Sequence, residues 1–349
     1  ELINKIKVLM GDELLVSERI SAIRLNDREF QYPLSARDIL RQTDILFLSK
    51  CLVDYIYQCL YKKLRESPDT SFEDWVINRF GKKLYVTFFK DYTHKLWGIP
   101  SDKLSSDWAA ERISLLDLWD VVLRLCGLGR EAPRTYTKKF FYPKQGIGQI
   151  FEFIAREIKK YSGSIILNAR LKKLLLEGNR AKGVIYELNG KDEVIHCDWV
   201  ISTIPVTDLL YKPERGGEYH NVSTAVRSLR YRSLRFLNIL IDQSDVGRNT
   251  WTYIPDGKYI MTRIQEPKKR SPYNAPYGKT SLMLEIPCSY NDEVWNMQDH
   301  LLFNRCIDDL SKLGIDIKDK VIDYFFTVEK HAYPIYHLDY KHHLNNLLS

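Results

Sequence analysis

The sequence lacks Cys-x-x-Cys pairs and long apolar runs, although it contains six cysteines. No cysteines and histidines are spaced as zinc ligands, so we predict no metal site. The thiols are expected to be free, which favours a reducing compartment and a cytoplasmic location. The most apolar stretch, residues 45–61, contains Lys50 and Asp54. It therefore does not meet the criterion for a membrane span.

The sequence also has little excess of either charge. It contains 52 Lys and Arg residues and 45 Asp and Glu residues, which gives a net charge of +7. This weak positive excess suits an anionic partner such as a nucleotide cofactor, an acidic substrate or, through peripheral contact, a membrane surface. No zinc, homeodomain or RNA-binding signature accompanies the charge, so we expect no nucleic-acid partner. The 349 residues, 44% of them hydrophobic, are enough for two folded domains.

The first part of the chain predicts a hairpin and then a helical block. Alternation and the turn residues Asn26 and Asp27 indicate a β-hairpin over residues 14–34. Ser71 and Asp74 resemble a capping box. Apolar residues at helical spacing predict helices over residues 35–65, 71–80, 82–95, 107–113 and 114–125.

The second part predicts a glycine-opened helix followed by strands. The helix begins at Gly146 and ends near Tyr161. A three-stranded meander follows over residues 164–197, and residues 198–205 have the pattern of a strand buried on both faces. A second, mostly antiparallel sheet is predicted from strands over residues 234–241, 251–254, 259–264, 280–288 and 321–330, with a helix over 292–313 before the last of them.

Residues 141–148 (Phe-Tyr-Pro-Lys-Gln-Gly-Ile-Gly) and 198–205 (Asp-Trp-Val-Ile-Ser-Thr-Ile-Pro) stand on either side of the helix and meander. This order and spacing resembles the middle of flavin amine oxidases, protoporphyrinogen oxidases, phytoene desaturases and UDP-galactopyranose mutases. Residues 71–81, 92–100 and 107–110 also resemble the helical block of bacterial members. Aromatic residues at helical spacing are equally compatible with plain packing.

The resemblance implies an α/β fold with a split, Rossmann-like FAD-binding domain of the glutathione-reductase type and a substrate domain of antiparallel sheet plus helices. Residues 1–20 and 140–210 are expected to belong to the FAD domain, to which residues 331–349 return. Residues 21–139 would supply the hairpin and helical block of the substrate domain, and residues 211–330 its sheet.

The resemblance also implies which residues bind FAD. Glycines before a helix free its N-terminal amides, and a strand that ends in Thr-Ile-Pro lets main-chain groups approach a flat ring. Without the surrounding pattern, two glycines in this spacing are more often an ordinary helix cap. The residues expected to contact FAD are Gly146, Gly148, Leu171, Thr203, Ile204, Pro205 and Tyr333.

The predicted second sheet carries the candidate substrate residues. Alternation places Trp251 and Tyr253 on one face, with Arg263 and Glu285 on neighbouring strands, and the family resemblance adds Tyr336. A solvated face with one buried ion pair is an equally good interpretation of Arg263 and Glu285. No pair of residues demands a catalytic base, and the lone His94 is more typical of a structural hydrogen bond.

Two segments of the family pattern are not found. One is the opening strand with its Gly-x-Gly-x-x-Gly turn, and the other is a late glycine-rich segment. We therefore expect this chain to be part of a longer protein and to bind FAD weakly or not at all by itself. The complete protein is expected to transfer hydride from an organic small molecule to FAD. The alternatives are a UDP-galactopyranose mutase-like isomerase and a cofactor-free interaction module.

Overall fold

The computed structural model describes residues 2–26, 28–32, 45–64, 68–112, 139–178, 180–210 and 220–348. The helices expected over residues 35–44 and 114–125 lie outside these described residues. The chain divides into two compact units. The first unit consists of Glu1–Met10, Gly148–Arg230 and Tyr340–Ser349, and the second of Gly11–Ile147 and Tyr231–Asp339.

The helices are given in chain order. They are α1 (Leu2–Met10), α2 (Ile45–Leu64), α3 (Phe72–Phe80), α4 (Lys82–Leu84), α5 (Lys90–Trp97), α6 (Ser106–Arg112), α7 (Gly148–Lys160), α8 (Val206–Leu210), α9 (His220–Ser228), α10 (Glu293–Asn296), α11 (Asp299–Lys312) and α12 (Tyr340–Leu348). A π-helical turn, Tyr85–Phe89, joins α4 to α5.

The strands are likewise given in chain order. They are β1 (Leu14–Glu18), β2 (Ser21–Leu25), β3 (Arg28–Tyr32), β4 (Lys139–Pro143), β5 (Arg170–Glu177), β6 (Arg180–Leu188), β7 (Lys191–His196), β8 (Tyr231–Ile241), β9 (Trp251–Tyr253), β10 (Arg263–Gln265), β11 (Thr280–Cys288) and β12 (Val321–Pro334).

A seven-stranded sheet dominates the second unit, in the order β12-β8-β11-β10-β9-β2-β3. Its neighbours pair antiparallel except for β2 and β9, which are parallel. The predicted antiparallel sheet is therefore confirmed, and the hairpin of β2 and β3 extends it. The hairpin prediction was too long at its start, because β1 pairs with β4 in a separate two-stranded sheet.

One face of this sheet builds the main hydrophobic core against α11. Alternate residues of β8 and β11, such as Leu237, Ile239 and Leu284, are fully buried there with Leu302 and Leu310 of the helix. The period of two in the strands and the apolar stripe of the helix explain this packing. Burial of a Leu or Ile side chain contributes roughly 1.5–3 kcal/mol, so this core holds the sheet in its register.

A second core forms in the helical block of the same unit. The capping box of α3 is confirmed: the Ser71 hydroxyl accepts from the Asp74 main-chain N–H, and the Asp74 carboxylate accepts from Ser71. Phe72, Trp75 and Trp97 are buried in this core. The helix predicted over residues 82–95 is present, but the π-helical turn interrupts it.

The first unit contains the predicted meander, with β5, β6 and β7 in sequential antiparallel order. β5 begins at Arg170, later than expected. The prediction of a buried strand over residues 198–205 was wrong, since Trp199 and Ile201 are 88% and 91% exposed. A strand forms only where a neighbouring strand takes its main-chain hydrogen bonds, and no described strand pairs with this segment.

The unit boundaries differ from the expected domain boundaries. Residues 11–20 and 140–147 lie in the second unit, whereas residues 220–230 lie in the first. Residues 331–339 also belong to the second unit, because β12 continues to Pro334 beside β8. Strand pairing, which the local sequence pattern does not reveal, sets these limits.

Candidate functional site

The sheet face opposite the main core carries aromatic and charged side chains, and we call it the polar face. In the strand register, Arg263 lies between Tyr253 and Glu285, and Gln265 lies beside Trp251. Residues directly paired, or two apart on one strand, point to the same side of a sheet. The four candidate substrate residues of the sheet, Trp251, Tyr253, Arg263 and Glu285, therefore share one face.

A chain of hydrogen bonds runs along the polar face. The Glu285 carboxylate oxygen Oε1 accepts from the Arg263 guanidinium and, at 2.5 Å, from Gln265 Nε2. The side-chain carbonyl of Gln265 accepts in turn from Arg270. The Glu285 side chain is 8% exposed and that of Arg263 27%. Burial acts to lower the pKa of Arg263, but the Glu285 carboxylate outweighs this effect and raises the pKa above its usual value.

Rings and guanidinium groups alternate beside this chain in what we call the cation–aromatic ladder. The Trp251 ring centroid lies 5.0 Å from Arg19 Cζ and 5.5 Å from Arg270 Cζ. Arg19 Cζ lies 5.6 Å from the Tyr32 ring, and Arg270 Cζ lies 5.8 Å from the Tyr142 ring. Contacts at these distances are attractive, since a ring face is negative. The ladder thus holds two guanidinium groups in fixed positions.

Tyr92 of α5 is close enough to this group to interact with the charges of Arg263 and Glu285 and with Tyr253. Burial is the main cause that raises the pKa of Tyr92 above its usual range. The phenol therefore stays protonated at neutral pH and is a hydrogen-bond donor rather than a base. Tyr92 was not among the predicted site residues, because helical spacing does not reveal which face of a sheet a helix covers.

Two basic residues fix α5, and thereby Tyr92. Lys95 Nζ donates to the main-chain oxygens of Ile254, Asp256 and Met261 at 2.9, 3.0 and 2.6 Å. Burial lowers the pKa of Lys95 to about 7, against the opposing effect of Asp256 and Asp309. Arg232 donates to the carbonyl oxygens of Leu96 and Lys95 at the helix end, at 2.9 and 3.1 Å.

The two predicted tyrosines near the chain end have different surroundings. Tyr333 of β12 packs on Trp97, with ring centroids 6.0 Å apart, and it interacts electrostatically with Arg263. Tyr336 packs against the second core, and its main-chain oxygen accepts from Ser105 N at 2.6 Å. Both lie in the same unit as the polar face. Their expected roles toward cofactor and substrate stay predictions.

The predicted cofactor residues lie in open main-chain segments. Gly146 has φ +95°, and Gly148 begins α7 at a position where an added β-carbon would meet no other atom within 4 Å. Thr203 and Ile204 are exposed and outside any strand, while Leu171 is partly buried in β5. A helix N-terminus with open space around its first glycine suits close approach of a ligand, and exposed main chain suits a flat ring. These segments therefore fit a dinucleotide cofactor.

Other kinds of site find no support in the described part of the chain. No group of three or more His, Cys, Asp or Glu side chains there could hold a metal ion. None of the described helices is both long and apolar enough to cross a membrane. The described cysteines, Cys51, Cys59, Cys197, Cys288 and Cys306, are free thiols.

Comparison with known sequences decides the family. Residues 28–343 match the sequence model described as flavin containing amine oxidoreductase. The chain belongs to the flavin-containing amine oxidoreductase family. FAD is therefore its cofactor, and a flavin-dependent oxidoreductase is its broad functional class. The predicted family and fold class are both confirmed.

Three solved structures share the fold of this chain. The chain is 19% identical to reduced UDP-galactopyranose mutase, with a TM-score of 0.80, and covers 99% of its own length and 73% of that chain. A putative protoporphyrinogen oxidase from Exiguobacterium sp. 255-15 gives 14% identity and a TM-score of 0.69, covering 99% and 76%. Putrescine oxidase bound to putrescine gives 12% identity and a TM-score of 0.59, covering 97% and 76%.

Proposed function

We propose that the protein oxidises an organic small molecule bound on the polar face, with hydride transfer to FAD. The main support is that four side chains lie on one face of the sheet, opposite the packed core: Trp251, Tyr253, Arg263 and Glu285. A face that combines aromatic area with few, fixed polar groups is typical of a small-molecule site. The sheet gives this face a rigid base, which favours precise positioning.

The side chains of the polar face would make different kinds of contact with the substrate. The Trp251 ring holds Arg19 and Arg270 in position, the Tyr253 ring adds apolar contact, and the Tyr92 hydroxyl is proposed to donate a hydrogen bond to the substrate. Glu285 is held by Arg263 and Gln265, so its carboxylate orients those groups and is not free to act as a base. FAD supplies the electron acceptor for a hydride, and the protein supplies position and electrostatics. We assign no residue as catalytic base.

For the cofactor, we propose contacts from the open segments of the first unit. Gly148 would let the main chain at the start of α7 come close to the adenosine half of the cofactor, and residues 203–205 would offer main-chain groups to a ring. Leu171 completes the proposed set in this unit, and contacts of Gly146 and Tyr333, which belong to the second unit, with the cofactor stay separate predictions. We expect Gly148→Ala to keep the fold, since the position is open, and to weaken FAD binding because the added methyl group would crowd the cofactor.

A flavin-dependent isomerase of a sugar nucleotide is the second candidate. The observation in its favour is the number of arginines near the polar face, because a diphosphate needs several such groups. The oxidoreductase and the isomerase predict different reactions for the same preparation of the complete protein.

The discriminating experiment is anaerobic incubation of the flavin-loaded complete protein with candidate substrates. Bleaching of the flavin absorption by a substrate, with formation of an oxidised product, is the result expected for an oxidoreductase. Conversion of UDP-galactopyranose by the prereduced protein, with no net oxidation, would replace this proposal with the isomerase. A protein that stays colourless after incubation with FAD would contradict both flavin-dependent functions.

A further inference from the structure

Arg270 is a positive charge held in place without a carboxylate partner. Its side chain is partly exposed, and its hydrogen bond goes to the neutral amide of Gln265. Among the described residues, no carboxylate forms an ion pair with it. The rings of Trp251 and Tyr142 flank its guanidinium at 5.5 and 5.8 Å. Its orientation is therefore fixed by neutral groups, and its charge stays available.

The surrounding charge balance is positive. The hydrogen-bonded chain contains two guanidinium groups, Arg263 and Arg270, but one carboxylate, Glu285. That carboxylate is already shared by Arg263 and Gln265. A ligand with negative charge gains from this arrangement, and a cationic ligand is repelled.

We propose that the polar face binds an acidic group of the substrate, a carboxylate or a phosphate, at Arg270, and that it discriminates against cationic amines. The inference rests on the proposed function in treating this face as the substrate surface. A guanidinium presents parallel N–H groups that match carboxylate and phosphate oxygens. Because the ladder and Gln265 already hold Arg270, little side-chain freedom is lost on binding.

Discrimination against cationic amines would distinguish the polar face from a polyamine-binding site. An ammonium group placed near Arg270 would be repelled by that guanidinium, and it would not find a free carboxylate in Glu285, which already accepts from Arg263 and Gln265. Trp251 and Tyr253 would attract a cation through their ring faces, but Arg19 and Arg270 already occupy the Trp251 ring. The aromatic residues therefore serve to position arginines rather than to bind an amine.

The test is isothermal titration calorimetry of the full chain with UDP, glutarate and putrescine as probes. Binding of UDP or glutarate is expected, weaker at high salt, with no detectable binding of putrescine. Arg270→Gln should weaken the binding of the acidic probe by about tenfold or more, because a hydrogen bond to a charged group is lost. The affinity of Arg270→Lys for the acidic probe should lie between those of the unaltered chain and Arg270→Gln, since lysine keeps the charge but loses the paired donors.

The matched control is Arg248→Gln, which removes an exposed arginine of the same unit that pairs with Glu29. It should leave probe binding unchanged. Stronger response to UDP than to glutarate assigns the acidic group as phosphate, and the reverse assigns it as carboxylate. Equal affinity of Arg270→Gln and the unaltered chain, tighter binding of putrescine, or no binding of either acidic probe would overturn the proposal.

These titrations do not depend on flavin turnover, so the two proposals fail separately. Acidic probes that bind through Arg270 to a protein unable to reduce FAD would refute the oxidoreductase function alone. A flavin-reducing protein with unchanged affinity in Arg270→Gln would refute the acidic-group proposal alone. Circular dichroism melting of each variant confirms that it is folded before titration.

Discussion

The guanidinium of Arg232 occupies the space that a side chain on Gly98 would need. A β-carbon at Gly98 would lie 2.7 Å from Arg232 Nη1, and Gly98 has φ +70° at the C-terminus of α5. The same guanidinium donates to the last carbonyl groups of that helix. Gly98 therefore permits both the helix end and its cap, which together hold Tyr92 near the polar face.

Gly98→Ala should destabilise the protein through this contact. The left-handed backbone alone costs about 1 kcal/mol for alanine. Displacement of Arg232 from its carbonyl partners adds roughly 1–3 kcal/mol. Urea unfolding measures the loss. Gly278→Ala is the control, because Gly278 has φ +73° but open space around it; equal losses in the two variants would show that the Arg232 contact is unimportant.

Lys95→Met should lower the free energy of unfolding by about 3 kcal/mol, because three carbonyl groups lose their donor. Lys90→Met, at an exposed position of the same helix, should change it by less than about 0.5 kcal/mol. Chemical denaturation at neutral pH gives both values. A Lys95→Met variant as stable as Lys90→Met would contradict the role assigned to the three hydrogen bonds.

The contribution of Lys95 should depend on pH. Its folded pKa is lowered to about 7 from the ordinary 10.5, so between these values the unfolded chain binds a proton that the folded chain has released. Stability relative to Lys95→Met should therefore rise with pH across this window, by up to about 1.4 kcal/mol per unit, and be constant below it. A flat difference across the window would mean that the ammonium form persists in the fold.

Arg263 and Glu285 should be energetically coupled. Arg263→Met or Glu285→Leu alone is expected to cost about 1–3 kcal/mol, moderated by the partial exposure of Arg263, since each leaves a charged partner behind. The double variant should cost less than the sum. The exposed pair Arg248 and Glu29 provides the comparison cycle, with coupling below about 1 kcal/mol. Similar coupling in both cycles would argue against a special role for the buried pair.

Tyr92→Phe should separate binding from stability. It removes the hydroxyl but keeps the ring, so the free energy of unfolding should change by less than about 0.5 kcal/mol. Loss of one hydrogen bond should weaken substrate or probe binding by about three- to tenfold. Calorimetric titration alongside denaturation measures both. Unchanged affinity would remove Tyr92 from the proposed site.

Local patterns in the sequence predicted the elements that depend on near neighbours. Alternation located β11 over Thr280–Cys288 and placed Trp251 and Tyr253 on one face. The capping residues Ser71 and Asp74 marked the start of α3. In each case the determining interactions lie within a few residues, so the sequence pattern carries them directly.

Long-range pairing accounts for what the sequence did not reveal. The parallel contact of β2 with β9 joins strands far apart in the chain, and it brings Arg19 to Trp251. Arg270 reaches the same ring from a turn, and Tyr92 from a helix. In the segment over residues 198–205, the sequence predicted a strand that is absent. Its apolar pattern suits a buried strand, but no described strand pairs with it.

The FAD content of the complete protein tests most directly whether this chain belongs to a working flavoenzyme. Release of the cofactor by acid, followed by absorbance and mass analysis, gives its identity and amount. One FAD per chain, with visible absorption that disappears on anaerobic reduction, is the predicted result. A folded but colourless protein after incubation with excess FAD would contradict it.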